Sequence, residues 1–285
     1  MSATDQTPDE GALRIWSESA PYWAKHRGFV DALLGPVTPA LLEEAGIAPG
    51  HSVLDVAGGT GEPSITIARI VGPAGHVTCT DAAEPMVAAA KAESRRLGLE
   101  NVTFAHAVAE ALPFDDDAFD AVVCRFGVMF FPAPAEGVSE MLRVVRPGGR
   151  VAFAVWRARD LNPLSQVVGD TISRFVTLPP SSTDAFRFAE PGALAAVLAG
   201  CGAEDVRERV VDIRHRAAVG FDEFWATRVE MSEAMRSALA PLSSEQARVV
   251  ADAVREATAE YFAAGSMDFP ASALVVSARK SAARV

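Results

Sequence analysis

Val53-Leu-Asp-Val-Ala-Gly-Gly-Thr-Gly61 is the stretch that decides the fold of this chain. Together with His51 and Ser52 it opens as a short apolar run of the kind buried on both faces of a parallel sheet. It carries a carboxylate, Asp55, near its carboxyl end and then breaks into glycines at 58, 59 and 61. Ile65, Ile67, Ala68, Ile70 and Val71 follow as the apolar side of a helix. The pattern reads strand, tight turn, helix. Such a turn lets the backbone approach a ligand closely, and the helix that starts there is expected to present free N–H groups. About 20 residues further on, a second strand closes at Asp81, a carboxylate placed to accept both hydroxyls of a ribose.

The same residues discriminate between nucleosides. A dinucleotide fingerprint needs a third glycine so that a pyrophosphate can rest on the helix N-terminus. Here Gly59-Thr-Gly61 runs into Glu62, Pro63 and Ser64, which puts negative charge where the pyrophosphate would lie. Asp55, ahead of the glycines, suits a cationic ligand tail. S-adenosylmethionine, with an ammonium, a sulfonium and no phosphate, satisfies that electrostatic pattern better than a nicotinamide dinucleotide.

Outward from this motif the alternation continues. Gly75–Thr80 reads as a strand, Glu84–Leu97 as a helix ended by Gly98, Val102–Phe104 and Asp120–Cys124 as strands, and Val138, Met141, Leu142 and Val145 as a helical stripe. Pro147-Gly-Gly turns the chain into a strand over Arg150–Trp156. Upstream, a helix is predicted from about Pro21 (Trp23, His26, Val30, Leu33), after a solvated tail of ten residues, and a second from Pro39 to Ala45. Downstream, 158–190 reads as loop with short helices, 191–200 as a helix, Asp205–His215 as a strand, 221–264 as helical and Ser272–Ala278 as a last strand. The expected architecture is α/β, a doubly wound, mostly parallel seven-stranded sheet of Rossmann-like type with a helical lid or cap. The expected organisation is an N-terminal lid over 1–45 and a core over 46–285, with cap insertions at about 158–190 and 221–264.

Composition narrows the function classes. The chain has 285 residues, 26 basic against 37 acidic, a net charge of −11, 49% apolar and 22% charged residues, the mix of a globular protein. The acidic balance argues against a nucleic-acid surface. Three scattered cysteines argue against a disulfide scaffold or zinc knuckle and for a reducing compartment, and no histidine or carboxylate spacing suggests a metal. The N-terminus MSATDQTPDE is not of signal-peptide type, and the longest uncharged run, 191–203, falls short of the ~20 residues of a membrane span. A cytoplasmic protein without nucleic-acid or membrane partners is expected; a homodimer is left open.

On these motifs the chain resembles the class I S-adenosylmethionine-dependent methyltransferases of the small-molecule group. VLDVAGGTG (53–61) is similar to their first motif, with Ala57 where glycine is more usual, the version found in ubiquinone/menaquinone methyltransferases. AEALPFDDDAFDAVVCRFG (109–127) and LRVVRPGGRVAFAVW (142–156) are similar to later ones. The resemblance implies methyl transfer from S-adenosylmethionine to a small acceptor, leaving S-adenosylhomocysteine. It implies that Ala57, Gly58, Gly59 and Gly61 line the methionine part with Asp55 nearby, and that Asp81 takes the ribose. Ala82 and Met86 would pack near the adenine, Ala109 would offer its N–H to the ring, and the backbone of Cys124 and Arg125 would face the methionyl group. Val108 stands where relatives carry an aspartate that takes a bond from the adenine amine. The family's quinone-methylating members continue after Phe-Gly with Arg-Asn-Val; here Val128-Met-Phe-Phe131 follows, which points away from a quinone.

Trp23 on the lid, and Met129, Phe130 and Trp156 just past strand ends, are candidates for an acceptor pocket, with Phe131 beside them. An apolar or aromatic acceptor follows, in the style of secondary metabolism. Tyr22 and His26, four residues apart on the lid, are the candidate bases should the acceptor lose a proton, with His215 at a strand end near the cap. Two alternatives stand beside this reading: an NAD(P)-dependent oxidoreductase, and a cofactor-binding regulator without catalysis.

Overall fold

The computed structural model of the protein describes residues 10–178, 184–263 and 265–282. Its strands are β1 (Ser52–Val56), β2 (His76–Asp81), β3 (Val102–His106), β4 (Phe119–Arg125), β5 (Val145–Trp156), β6 (Glu204–Ala217), β7 (Phe262–Ala263) and β8 (Ser266–Arg279). Seven of them form one sheet in the order β3-β2-β1-β4-β5-β8-β6, with the two-residue β7 paired to β8. All pairings from β3 to β5 are parallel, while β8 runs antiparallel to both its neighbours. Successive residues of β1 and β4 are buried, so helices cover both faces of the sheet. The strand order reverses between β1 and β4, and a crevice opens at the carboxyl ends there.

The helices are α1 (Glu10–Lys25), α2 (Arg27–Leu34), α3 (Thr38–Glu44), α4 (Ser64–Val71), α5 (Glu84–Arg96), α6 (Pro134–Val144), α7 (Pro163–Ile172), α8 (Ala193–Gly200), α9 (Phe221–Met231), α10 (Glu233–Leu239) and α11 (Ser244–Ala257). The first departs from expectation. Pro21 lies inside α1 and does not start it, because eleven further residues upstream already form helix. The expected tail falls mostly on residues outside those described. No helix among the described residues is long and apolar enough to cross a membrane.

Two larger apolar clusters and a small one of Ala20, Ala83 and Met86 hold the described residues together. One is the sheet's own, around Leu54, Val122, Phe153 and Val275. The other gathers Phe29 and Leu33 from α2, Ile172 from α7, Phe224 from α9, Val254 from α11 and Phe269 from β8. Each such side chain contributes about 1.5–3 kcal/mol through burial. The second cluster depends on the length of two strands. Trp156, the last residue of β5, pairs with Ala273, which in turn pairs with Val211. Beyond that level β6 and β8 continue as a two-stranded ribbon from Asp212–Ser272 to Ala217–Met267, and the ribbon backs the space above the sheet.

Candidate functional site

The glycine turn is held from behind by carboxylates. Asp55 Oδ2 accepts from Ser64 N at 3.0 Å and from Ser64 Oγ at 2.6 Å. Glu62 Oε2 accepts from Thr66 N at 3.3 Å and Thr66 Oγ1 at 2.7 Å. The first-turn amides of α4 are therefore taken up by the chain's own acids, or by the Gly61 and Pro63 carbonyls. This corrects the expectation of free N–H groups at that helix: a pyrophosphate would find its donors occupied and two acids beside them. Gly58 has no room for a side chain, since a Cβ there would lie 2.6 Å from Cys79 Sγ and 2.9 Å from Asp55 Oδ2. Ala57 takes φ +58°, a left-handed conformation. Gly59, at φ +55°, faces open space.

Asp55 is fully buried, and its Oδ1 has no hydrogen-bond partner. Burial pushes its carboxyl up to about 7, against the opposing pull of the Ser64 hydroxyl and the Arg125 charge. At β2 the Asp81 carboxylate bridges two segments: Oδ2 accepts from Gly59 N at 3.0 Å and Oδ1 from Ala83 N at 2.9 Å. Burial raises it, and these backbone bonds lower it.

These segments open onto a cavity of about 380 Å³. Of the expected cofactor residues, Ala57, Gly58, Gly59 and Asp81 line it at the turn, Ala82, Met86, Val108 and Ala109 line it at one side, and Arg125 lines its floor. Three do not reach the wall. Asp55 sits behind the turn, Cys124 is wholly buried in β4, and Gly61 packs where an added Cβ would meet Ile65 and the Ala90 backbone. Trp23, Phe130 and Trp156 line the cavity, whereas Met129 turns into the sheet's core. Trp16 completes an aromatic wall, 5.6 Å from Trp23 and 5.1 Å from Phe130 between ring centroids. Tyr22 and His26 are not brought to the wall. His26 Nε2 lies 2.6 Å from Glu230 Oε2 on α9, and the Tyr22 ring receives the Arg236 guanidinium at 4.5 Å.

The far end of the cavity is built from segments distant in sequence. Phe126, at φ +59°, stacks on Trp156 at 3.9 Å, and Trp156 meets the edge of His215 at 5.7 Å. His215, on the β6–β8 ribbon, is buried; burial drags it down to about 4, although a bond to the Leu33 carbonyl opposes this. Arg228 of α9 and Asp31 of α2 also reach this wall. Burial raises Asp31, with Arg125 and Arg27 pulling the other way. No local pattern marks Asp31 or Arg228; only the assembly of α2, β6 and α9 around one space does.

The donor set fits a cationic nucleoside. Two carboxylates flank the turn, Asp55 retains an unsatisfied oxygen, Asp81 keeps lone pairs towards the cavity, and Gly59 leaves its approach open. The profile of the ubiE/COQ5 methyltransferase family matches residues 40–167. The ubiquinone/menaquinone biosynthesis C-methyltransferase UbiE of Pasteurella multocida is 39% identical over 124 residues, 43% of this chain and 46% of that protein. Its namesake from Escherichia coli O1:K1 is 32% identical over 149 residues, 50% and 59%. The chain thus spans about half the length of the curated relatives it matches. Among solved structures, a methyltransferase-like protein of Bacillus halodurans superposes with a TM-score of 0.56 at 22% identity, over 85% of this chain and 98% of that one. The [4+2]-cyclase SpnF gives 0.56 at 23%, over 86% and 81%. These likenesses concern the fold. The chain carries the core of a class I S-adenosylmethionine-dependent methyltransferase and is related, through that core, to the ubiE/COQ5 family.

Proposed function

We propose that the protein transfers a methyl group from S-adenosylmethionine to a small, apolar or aromatic acceptor, with a place in secondary metabolism. The observation that carries this reading is the turn of residues 57–62, whose following helix is closed off by Asp55 and Glu62 while its open side faces a cavity walled by aromatic rings. The same closure argues against a nicotinamide dinucleotide. When bound, the cofactor supplies a methyl carbon already activated by a sulfonium. What remains for the chain is to position, orient and exclude water.

Asp81 accepts the ribose hydroxyls through the lone pairs that Gly59 N and Ala83 N leave free. Ala82, Met86, Val108 and Ala109 receive the adenine side, with Trp16 and Trp23 closing over Met86. The backbone of Ala57 to Gly59 and of Arg125 faces the methionyl part, and Asp55 stands behind the turn with its Oδ1 unpaired. The Phe126–Trp156 stack and Phe130 present apolar surface to the acceptor and keep water from the reacting atoms.

Calorimetric titration with S-adenosylhomocysteine, with NADH as control, tests the reading. Micromolar binding of the former alone is expected, weakened about 100-fold by Asp81→Ala, as two hydrogen bonds to a charged group imply. Binding of NADH, or an Asp81→Ala variant that binds S-adenosylhomocysteine as well as the parent, would overturn it. Methyl transfer from S-adenosylmethionine to any member of an aromatic acceptor panel would then separate an enzyme from a cofactor-binding regulator.

A further inference from the structure

Arg228 differs from the other arginines near the site. Arg125 donates to Thr38 Oγ1 at 2.8 Å and to the Glu62 carbonyl at 2.9 Å, and Arg27 donates to the Thr60 carbonyl and lies 3.7 Å from Glu93. Arg228 projects from α9 into the same cavity, its Nε sealed from solvent without a partner. Among the described residues no carboxylate, carbonyl or hydroxyl accepts from its guanidinium. Arg228 is half-buried, and a cation partly withdrawn from water without a counter-ion is costly, so its place in the cavity wall leaves room for an anion.

The surroundings say what that anion must be attached to. Val30, Leu33 and Leu34 of α2, Leu164 of α7, Met231 of α9 and the Trp156 ring give this cavity a largely apolar lining, with Asn162 and Ser165 as polar groups at the start of α7. His215 stays uncharged beside the arginine, held down by burial and by the arginine's own charge, so it brings no competing cation. Asp31, an acid on the same lining, answers to Arg125 and Arg27 instead. With the Arg125 guanidinium already committed to Thr38 and Glu62, the one fork left without an acceptor on a largely apolar lining recognises a single oxyanion on a hydrophobic body.

We propose that Arg228 is the anion-binding residue of the acceptor pocket, so that the acceptor is an apolar, ring-bearing molecule carrying one ionised oxygen group, a carboxylate or a phenolate. This rests on the reading that the cavity holds cofactor and acceptor together. It assigns the acceptor's orientation: the acidic group lies at α9 and the body lies along Trp156 and Phe126 towards the glycine turn.

The test uses the full chain saturated with S-adenosylhomocysteine and titrated with 2-naphthoate and its neutral counterpart 2-naphthamide. The acid is expected to bind at least about tenfold more tightly than the amide, the difference shrinking to about twofold or less in Arg228→Gln and surviving in part in Arg228→Lys. A second arm follows 4-nitrophenol by its absorbance. A fall in its apparent pKa on binding, lost in Arg228→Gln, identifies the phenolate as the accepted form; a shift in neither protein leaves the carboxylate. Unchanged affinity for S-adenosylhomocysteine in Arg228→Gln shows that the variant is folded and that the guanidinium serves the acceptor. Equal binding of acid and amide, silence of all three probes at millimolar concentration, or loss of S-adenosylhomocysteine binding in both variants would overturn the proposal. Failure of the parent protein to bind S-adenosylhomocysteine would instead strike the methyltransferase reading itself.

Discussion

Ala57 holds a left-handed conformation, φ +58°, at the point where β1 turns towards α4. A residue with a Cβ gives up roughly 1–2 kcal/mol to adopt it. Its methyl group also limits what Gly127 could become, because a Cβ there would lie 2.6 Å away. Ala57→Gly relieves the strain, and after the larger entropy of an unfolded glycine a net gain of about 0.5–1 kcal/mol remains, or about 1–2 °C in Tm. Thermal unfolding by circular dichroism checks this; an unchanged or lowered Tm would show that the turn is not strained at this residue. Residue by residue, the cavity's glycine-turn side was legible in the sequence, because Ala57 to Gly59, Asp81 and Val108 to Ala109 line it and follow strands that the local pattern marks. Asp55 was legible as important but not in its placement. A carboxylate near a strand end can face a ligand or the next helix, and only the bonds to Ser64 decide between them.

Among the elements, α1 starts furthest ahead of where the sequence suggests, and β5 and β8 also start five or six residues early. Proline favours the first turn of a helix, so Pro21 reads as a beginning, whereas the packing of Trp16 and Ala20 on Met86 of α5 draws the helix back to Glu10. The core strands were legible because a strand buried on both faces is an unbroken apolar run. His215 and Arg228 were not legible as wall residues, since a histidine in a strand and an arginine in a helix look like any surface polar group until β6 and α9 are folded over Trp156. The junction of α1 and α2 is tied to α9 by Glu230, whose Oε2 lies 2.6 Å from both Lys25 Nζ and His26 Nε2. Such half-exposed ion pairs contribute little to global stability. Glu230→Gln is therefore expected to leave Tm within about 1–2 °C of the parent while amides of α1 exchange roughly three- to tenfold faster. Hydrogen exchange read by mass spectrometry decides. Unaltered exchange over 10–25 would mean that packing of Trp16 and Trp23, and not this tie, holds α1 down.

For the whole molecule, two buried groups set opposing slopes on stability against pH. Asp55 ionises at 3.8 in the unfolded chain and at about 7 in the native one, so the native state carries the extra proton between those values. Its contribution falls as pH rises through that window, by up to about 4 kcal/mol. His215 titrates at 6.5 unfolded and about 4 native, so the unfolded chain holds the extra proton there, and stability is gained as pH rises from 4 to 6.5, by up to about 3 kcal/mol. The two nearly cancel below pH 6.5. Urea unfolding of Asp55→Asn is expected to show a steeper rise with pH over 4–6.5 than the parent, and His215→Gln a steeper fall over 4–7. Parallel profiles for all three proteins would mean that neither group keeps its shifted ionisation in solution.

The β6–β8 ribbon has a consequence for how such a protein can change its chemistry. The chain leaves the ribbon at Ala217 and returns at Met267, two residues paired across neighbouring strands, so all of α9, α10 and α11 hangs from a single doorway. Sequence can be exchanged within that loop without altering any pairing between β1 and β5, since both ends of the insert are already fixed side by side. Under the proposed function, the sheet would be a constant chassis, and the Arg228 and Met231 side of the cavity would belong to a cassette that can be swapped as one piece.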